Sequence, residues 1–234
     1  MSLRLDWVGH DAAKFACEKW HYSKTVPSNK SNIIGVFEDG KYIGCVIFGL
    51  GASPSLGKPY GLGIFECCEL TRIALNKHKC NVSKIVSIAI RMLKKKNPNL
   101  KLIVSFADPF REHVGIVYQA CNWIYCGTSS QSKIIKLSTG EFVDPRRYNG
   151  HGFNSPLPVP KGAEYIKVPG KHRYLYPLTD DMRSKIEPLR KPYPKRASVV
   201  QIAEQPAFQP DKGGSIPTLT HPMIPISETG GTAT

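Results

Sequence analysis

Polar side chains interrupt or follow apolar segments at several points where proteins place reactive groups. Asp108 ends an apolar run, and a carboxylate there accepts a proton or orients an amine. Arg72 stands in an apolar segment, and a half-buried guanidinium requires a carboxylate or phosphate partner. His21 and Tyr22 set an imidazole beside a phenol, groups that bind transition metals or transfer protons. Equally ordinary roles are capping of the next helix by Asp108 and a purely structural His-Tyr pair.

A basic segment between a predicted strand and a predicted helix is a candidate phosphate site. Free backbone N–H groups and the positive dipole end at a helix start bind phosphate or pyrophosphate without a side chain. The candidate cofactor-binding residues of this segment are Lys77, Lys79, Asn81, Ser83 and Lys84. A plain loop with solvated lysines is the alternative interpretation.

Cations and aromatic residues alternate in two segments nearer the carboxyl end. Cations contact DNA phosphates at any sequence, and aromatic rings stack on an extruded base. The candidate DNA-binding residues are Lys171, His172, Arg173, Tyr174, Arg190 and Lys191. The alternative is a basic extended arm that packs its tyrosines against the folded domain.

The elements that position these groups follow from apolar periodicity. The pattern predicts helices over residues 11–20, 83–96, about 111–121 and 180–186, and strands over residues 33–37, 42–50, 64–75, 100–107, 123–127, 133–137 and 141–143. The order from Glu69 to Gly127 is a βαβα unit. Such a unit delivers Arg72, Ser105 and Asp108 to one edge of a sheet, where α/β folds bind ligands.

Composition predicts one α/β domain with appendages. We expect a catalytic domain over residues 1–143, a basic Tyr- and Pro-rich extension over residues 144–196 that packs on the core and contacts DNA, and a disordered tail over residues 197–234. No apolar run reaches the roughly 18 residues that span a bilayer, so we expect a cytosolic protein without a membrane partner. The sequence does not determine the oligomeric state.

The charge of the chain points to a polyanionic partner. The formal net charge is +14, and residues 1–196 carry +16 because the last 38 residues carry −2. A body this cationic attracts DNA or RNA, although some basic proteins are merely basic. The seven cysteines are odd in number and form no CxxC pair, which favours buried thiols in a reducing compartment over a disulfide framework or a zinc site.

Five motifs occur in an order that resembles the Mom family of phage DNA-modification proteins, over about residues 20–195. They are His21-Tyr22-Ser23-Lys24, Cys68-Glu69-Leu70-Thr71-Arg72, Val104-Ser105-Phe106-Ala107-Asp108-Pro109, the stretch from Ile116 to Tyr125, and Pro169-Gly170-Lys171-His172-Arg173-Tyr174. The resemblance implies a GNAT-like acyltransferase fold, with a mixed central sheet flanked by helices. It also implies conversion of adenine in double-stranded DNA to N6-carbamoylmethyladenine, which shields phage DNA from restriction in the host cytoplasm.

The resemblance further implies acetyl-CoA and iron as cofactors. Carried over to this chain, the catalytic candidates are Tyr22, Arg72, Ser105, Asp108 and Tyr118, and the hypothetical iron ligands are His21, Tyr22 and Asp108. Tyr118 occupies the place where acyltransferases of this fold keep a tyrosine near the thioester sulfur.

Two points separate this chain from an ordinary acyltransferase of that fold. Residues 76–84 contain no glycine, which hinders a close backbone approach to a pyrophosphate. Attack of adenine N6 on a thioester would give an N-acetyl group, whereas the carbamoylmethyl group needs a bond at its methylene carbon and a source of amide nitrogen. Two alternatives therefore stay open: an acyltransferase acting on a small amine or protein, and a non-catalytic DNA-binding module.

Overall fold

Ten β-strands and four α-helices make up the part of the chain that the structure describes. The structure is a computed structural model, and it describes residues 2–27, 31–51, 53–145, 148 and 157–195. The strands are β1 (Leu3–Trp7), β2 (Ser31–Glu38), β3 (Lys41–Gly49), β4 (Cys67–Leu75), β5 (Leu102–Ala107), β6 (Ile124–Thr128), β7 (Ser132–Lys136), β8 (Phe142–Val143), β9 (Glu164–Val168) and β10 (His172–Pro177). The helices are α1 (His10–Trp20), α2 (Val82–Lys96), α3 (Ile116–Ala120) and α4 (Asp180–Ile186).

Seven strands form one mixed sheet in the order β1-β2-β3-β4-β5-β10-β6. All its ladders are antiparallel except that between β4 and β5, which α2 connects as a crossover helix. Residues of α2 and α3 pack on one face, while residues of α1 and α4 pack on the other. The predicted fold class, a GNAT-like mixed sheet flanked by helices, is confirmed.

Strand β5 shows why the strands of this sheet appear in the sequence as continuous apolar runs. Leu102 and Val104 pack against Met182 of α4, whereas Ile103 points into the core beneath α2. Because both faces are covered, the alternation of a half-exposed sheet disappears.

Helix α2 forms as its periodicity predicts. Its buried stripe consists of Ile85, Val86, Ala89, Ile90 and Leu93. Asn81 is the N-cap residue, and three lysines occupy the last turn, where the negative end of the helix dipole favours cations.

The parallel pair β4 and β5 separates partway along its length. Cys67 to Glu69 pair with Leu102 to Val104, and no further pair joins these two strands. Beyond that point β4 continues along β3, and β5 continues along β10. The two strands therefore splay, and a cleft opens between their carboxyl ends.

Strand β10 corrects the predicted division of the chain after residue 143. The segment His172–Pro177, which we expected to belong to an extension packed outside the core, lies between β5 and β6 in the main sheet. His172 and Arg173 at the start of β10 made the segment look like part of a basic arm. The following residues alternate between the two faces of the sheet, as in an ordinary buried strand. The predicted tail over residues 197–234 lies outside the described residues.

Helix α3 is shorter than the predicted helix over residues 111–121. A 3₁₀ turn covers Pro109–Arg111, and Asp108 caps it by accepting a hydrogen bond from the Phe110 N–H at 3.0 Å. Gly115 then adopts a left-handed conformation with φ 76° and begins α3. The intervening residues form a loop at the open end of the cleft.

Strands β8, β7 and β9 form a second, three-stranded sheet in that order. Strand β7 follows β6 after three residues, and β9 precedes β10 by three residues, so this small sheet continues the β6–β10 pair. The Phe142 ring contacts the Phe110 ring edge-on, with 5.1 Å between the centroids. The small sheet is thereby anchored beside the carboxyl end of β5.

Among the described helices, none has the length and apolar character needed to cross a bilayer.

Candidate active site

A cavity of about 410 Å³ occupies the cleft between the splayed strands. Its lining comes from the end of α1, from β4, from β5 and from the loop that leads into α3. The lining residues are His21, Tyr22, Thr71, Arg72, Ile73, Phe106, Ala107, Asp108, Glu112, His113, Val114, Gly115, Ile116, Val117 and Tyr118. The fold thus brings together His21, Tyr22, Arg72, Asp108 and Tyr118, which lie on four separate segments of the sequence.

Arg72 brings a positive charge to the wall of this cavity. One terminal nitrogen donates to the Thr71 carbonyl oxygen at 2.7 Å, and its buried Nε has no hydrogen-bond partner within the described residues. A buried guanidinium N–H without an acceptor is costly, and the fork of an arginine matches planar oxygen groups. Arg72 is therefore suited to hold an oxygen-bearing group of a ligand.

Ser105 and Tyr118 form a hydrogen-bonded pair next to the cavity. Ser105 is fully buried, and its Oγ lies 2.8 Å from both the Leu70 carbonyl oxygen and the Tyr118 hydroxyl. Because the carbonyl only accepts, the single Ser105 proton goes to Leu70 when the phenol is neutral, and the phenol then donates to Ser105. Ser105 also satisfies a carbonyl of β4 at the point where the ladder to β5 ends.

Tyr118 is a neutral proton donor in this environment. Burial raises the pKa of Tyr118 to about 12. The ring also packs against Trp123 and Tyr174, each with 5.1 Å between centroids. Its hydroxyl is thereby held in a fixed position at the cavity wall.

His21 is buried and electrically neutral near neutral pH. Burial, followed by the neighbouring Arg72, His113 and Lys24, lowers the pKa of His21 to about 4. Nδ1 lies 2.8 Å from the Ser23 hydroxyl oxygen and 3.1 Å from the Ser23 backbone nitrogen. Either ring nitrogen can carry the single proton of the neutral ring, and Ser23 holds Nδ1 in both tautomers.

Asp108 combines the two roles that the sequence left open. One carboxylate oxygen caps the 3₁₀ turn through the Phe110 N–H, and the residue also lines the cavity. Its second oxygen has no hydrogen-bond partner among the described residues, which leaves it able to accept a proton from a ligand. Capping fixes the carboxylate without removing it from the site.

Tyr22 lies at the cavity mouth in an aromatic contact that the sequence did not reveal. Its side chain is 53% exposed. The ring lies 4.3 Å from the His21 ring and 5.7 Å from the His113 ring, centroid to centroid, and the Arg111 guanidinium lies 5.8 Å from its centroid. A partly exposed ring in this position offers a stacking surface.

His113, Glu112 and Arg111 were missed because the sequence predicted a helix over them. The signals that could have found them are Gly115, which permits a left-handed start of the helix, and the position of these residues directly behind Asp108-Pro109. Loops that follow a sheet edge carry functional groups more often than helix faces do.

The expected iron ligands His21, Tyr22 and Asp108 all line the cavity. Nδ1 of His21 lies 2.8 Å from the Ser23 hydroxyl oxygen, and Nε2 has no hydrogen-bond partner within the described residues. Within the described residues no group of three or more His, Cys, Asp and Glu side chains is arranged to hold a metal ion. The iron site implied by the resemblance is therefore not supported.

The candidate phosphate loop is already occupied by a carboxylate of the chain itself. Glu38 is buried, and it accepts from the Lys79 N–H at 3.0 and 3.2 Å and from the Cys80 N–H at 2.7 Å. The hydrogen bond from the Lys79 N–H lowers the pKa of Glu38 most, and the hydrogen bond from the Cys80 N–H has the next largest effect. Glu38 thus takes the amides that a pyrophosphate would use.

The predicted cofactor-binding side chains surround this loop and not the cavity. Lys77, Lys79 and Lys84 are exposed, Asn81 makes no side-chain cap, and the Ser83 carbonyl accepts from the Cys121 thiol at 3.5 Å. None of the five lines the cavity between β4 and β5. Their role in cofactor binding stays a prediction. The Lys79 and Cys80 backbone amides are no longer part of it, because Glu38 accepts their hydrogen bonds.

The predicted DNA-binding residues separate into buried and exposed sets. Tyr174 is fully buried in β10, where its hydroxyl donates to the Val114 carbonyl, so its ring cannot stack on an extruded base. This part of the prediction is wrong, because an inward position in a central strand buries the ring. His172 lies 3.1 Å from the Tyr125 hydroxyl through Nδ1, and burial lowers its pKa.

The remaining cations of this set keep part of their surface in solvent. Arg173 is half-buried and donates from Nε to the Cys126 sulfur at 3.2 Å, while Lys171 donates from its backbone to Ser129 Oγ at 2.9 Å. Arg190 and Lys191 are exposed, and Arg190 forms an ion pair with Glu187. Their contact with DNA stays a prediction.

Known proteins match this chain in sequence and in structure. The protein named Methylcarbamoylase mom of Escherichia phage Mu is 26% identical over 130 residues, which are 54% of this chain and 54% of that protein. The match thus spans about half the length of that relative. Solved structures that align with the chain include an aminoglycoside acetyltransferase in complex with coenzyme A, at a TM-score of 0.43 and 12% identity over 80% of this chain and 98% of that one. An N-acetyltransferase from Staphylococcus aureus Mu50 aligns at a TM-score of 0.44 and 11% identity over 76% of this chain and 99% of that one.

The Mom protein family matches residues 2–195, a range that includes all the segments that line the cavity. The chain therefore belongs to the Mom protein family.

Proposed function

We propose that this chain is a DNA-modification enzyme that converts adenine in double-stranded phage DNA to N6-carbamoylmethyladenine. It would act in the host cytoplasm and protect the DNA from restriction. The observation that carries the proposal is the convergence of His21, Tyr22, Arg72, Asp108 and Tyr118 on one cavity in a member of the Mom family. The net charge of +14 supports DNA as the substrate.

The position of adenine N6 requires the base to leave the duplex. N6 takes part in base pairing, so an enzyme that reacts with it in a cavity must extrude the nucleotide. The half-exposed Tyr22 ring at the cavity mouth, next to the His113 ring, supports a stacking role for it on the extruded adenine. An exposed ring is suited to this purpose in a way that the buried Tyr174 is not.

Each cavity residue then has a role that its surroundings support. Asp108 accepts the proton that the N6 amine loses when its new bond forms, through the carboxylate oxygen that does not cap the 3₁₀ turn. Tyr118, neutral and held by Ser105, donates a proton to a leaving or developing anionic group. Arg72 binds an oxygen of the group donor. His21 is a neutral hydrogen-bonding group whose ring Ser23 holds in place.

The identity of the donor is a separate part of the proposal. The resemblance to the family favours an acyl-CoA, and the cavity of about 410 Å³ lies where β4 and β5 separate. Since Glu38 occupies the Lys79 and Cys80 amides, the diphosphate of such a donor would contact other groups. The product also requires a donor of the amide nitrogen, and replacing a methyl C–H of an acetyl group with the bond to N6 requires a two-electron oxidant.

The test is mass spectrometry of nucleosides from plasmid DNA co-expressed with the chain. We expect deoxyadenosine that has gained C2H3NO, and a decrease of about 100-fold or more in its yield for Tyr118→Phe, Asp108→Asn and Arg72→Met. Glu141→Gln, at an exposed residue outside the cavity, serves as the control. Deoxyadenosine that gains C2H2O would indicate ordinary acetyl transfer, and an unmodified pool with retained DNA binding would indicate a binding module.

A further inference from the structure

The small sheet formed by β7, β8 and β9 carries two lysines directly opposite each other. Lys133 of β7 and Lys167 of β9 are partners in the antiparallel ladder, so their side chains lie side by side on one face. Both are exposed. Like charges in this position destabilise a sheet, and neither ammonium lies within salt-bridge distance of a carboxylate in the described part of the chain.

The other face of the same ladder shows ordinary charge pairing. There Lys136 of β7 is opposite Glu164 of β9, a combination of unlike charges that stabilises the pair. The unmatched lysines are therefore confined to one face. An external anion would balance them, since the described residues place no carboxylate within salt-bridge distance.

Tyr165 lies next to the lysines on this basic face, which we define as Lys133, Tyr165 and Lys167. Tyr165 is two positions from Lys167 in β9, so the two side chains point to the same side. Its side chain is 52% exposed, although it is opposite the fully buried Ile135. An exposed phenol next to the lysine pair adds a hydrogen-bond donor for phosphate oxygens.

The small sheet is attached to the body through its other face. Phe142 of β8 pairs with Lys136, so it belongs to the face opposite the basic face, and its ring contacts Phe110. Phe110 donates its N–H to Asp108 at the cavity. The sheet is thus fixed at the edge that holds the cavity. The lysines lie on the opposite face, where Ile135 and Val143 are buried with Tyr148 farther along the strands.

We propose that the basic face of the small sheet binds the phosphate backbone of the DNA duplex whose base enters the cavity. Two closely spaced lysines and a phenol fit successive phosphates, and they read no sequence. This inference rests on the proposed function, because the duplex must lie beside the cavity for the small sheet to reach it. It assigns a contact surface separate from His172, Arg190 and the other predicted DNA-binding residues.

The experiment compares two double variants of the full chain that lose the same charge. Lys133→Gln with Lys167→Gln removes the basic face, and Lys41→Gln with Lys95→Gln removes two exposed lysines from other elements. Binding to a short labelled DNA duplex is measured over a series of salt concentrations. We expect the first variant to bind about tenfold more weakly at low salt and to lose about 2 from the slope of log K against log salt, while the control keeps both.

Thermal unfolding tests whether the double variant binds DNA more weakly only because its fold is less stable. Because the substitutions remove a like-charge pair, the Tm of the first variant should equal or exceed that of the unmodified chain while its DNA affinity falls. Equal salt slopes for the two double variants would overturn the inference, as would loss of binding to poly-glutamate with duplex binding unchanged. Its failure is distinct from failure of the proposed function, since mass spectrometry reports the modified nucleoside independently of the salt slope.

Discussion

At the scale of single residues, the cavity combines one strong cation with groups that remain neutral. Arg72 is half-buried, its Nε has no hydrogen-bond partner within the described residues, and its charge is one reason that His21 stays unprotonated. Tyr118 keeps its proton because burial raises its pKa to about 12. A site with these properties holds an oxygen-rich ligand and moves protons without first changing its own charge.

The lowered pKa of His21 predicts a pH dependence of stability. The folded chain has a pKa of about 4 at His21 against the ordinary 6.5, so the unfolded chain takes up the proton first as the pH falls. The free energy of unfolding therefore decreases on acidification between these two values. His21→Gln should remove up to about 2.5 kcal/mol of the loss between about pH 7 and about pH 4.5.

Urea unfolding at the two pH values measures this effect. Gln at position 21 can still accept from the Ser23 N–H, so the local structure should persist. The exposed His10→Gln variant is the control and should follow the unsubstituted chain. Identical pH dependence in both variants would show that His21 is not held neutral by its surroundings.

At the scale of elements, the start of α3 determines where Tyr118 lies. Gly115 has φ 76°, and a Cβ added there would lie 2.5 Å from Cε2 of the Tyr174 ring. Two constraints therefore meet at this glycine: the left-handed backbone and the close approach of β10. The loop between Asp108 and Gly115 forms one wall of the cavity as a consequence.

Gly115→Ala should destabilise the fold more than Gly140→Ala does. Gly140 has φ 82° but open space around the added Cβ, so it reports the backbone strain alone. We expect Gly115→Ala to lower the free energy of unfolding by about 1–3 kcal/mol beyond the control, because the clash with Tyr174 adds overpacking. Urea midpoints measure the difference, and modification yield should fall with it. Equal losses would mean that the Tyr174 ring moves aside without cost.

At the scale of the whole molecule, β10 joins β5 and β6, which come much earlier in the chain, into one sheet. It forms six residue pairs with β5 on one side and pairs with β6 on the other. Tyr174 and Leu175 within it are fully buried. Without this strand, β5 loses one of its two neighbours and β6 loses its neighbour in the described sheet.

A chain that ends at residue 143 should therefore fail to fold, whereas a chain that ends at residue 195 should fold. The shorter chain leaves the facing edges of β5 and β6 unpaired and exposes the core that β10 covers. The measurement is the thermal transition followed by circular dichroism. A cooperative transition in the shorter chain would contradict the insertion of β10 and restore the division that the sequence suggested.

The sequence by itself determined the βαβα order from β4 to α3 and four of the residues that line the cavity. These inferences depended on local patterns: the apolar stripe of α2, the apolar run of β5, and polar residues such as Arg72 and Asp108 at strand ends. The family resemblance added Tyr118. Local periodicity suffices for such elements because each buries its own apolar face.

Tertiary structure alone decided which distant segments meet. Strand β10 pairs with β5 across more than sixty residues, which buried Tyr174 and corrected its assignment to DNA. Glu38 reaches the Lys79 and Cys80 amides from another turn and fills the predicted phosphate loop. The physical reason is that strand pairing and buried hydrogen bonds depend on partners remote in sequence, and those partners leave no periodic signal in the segment itself.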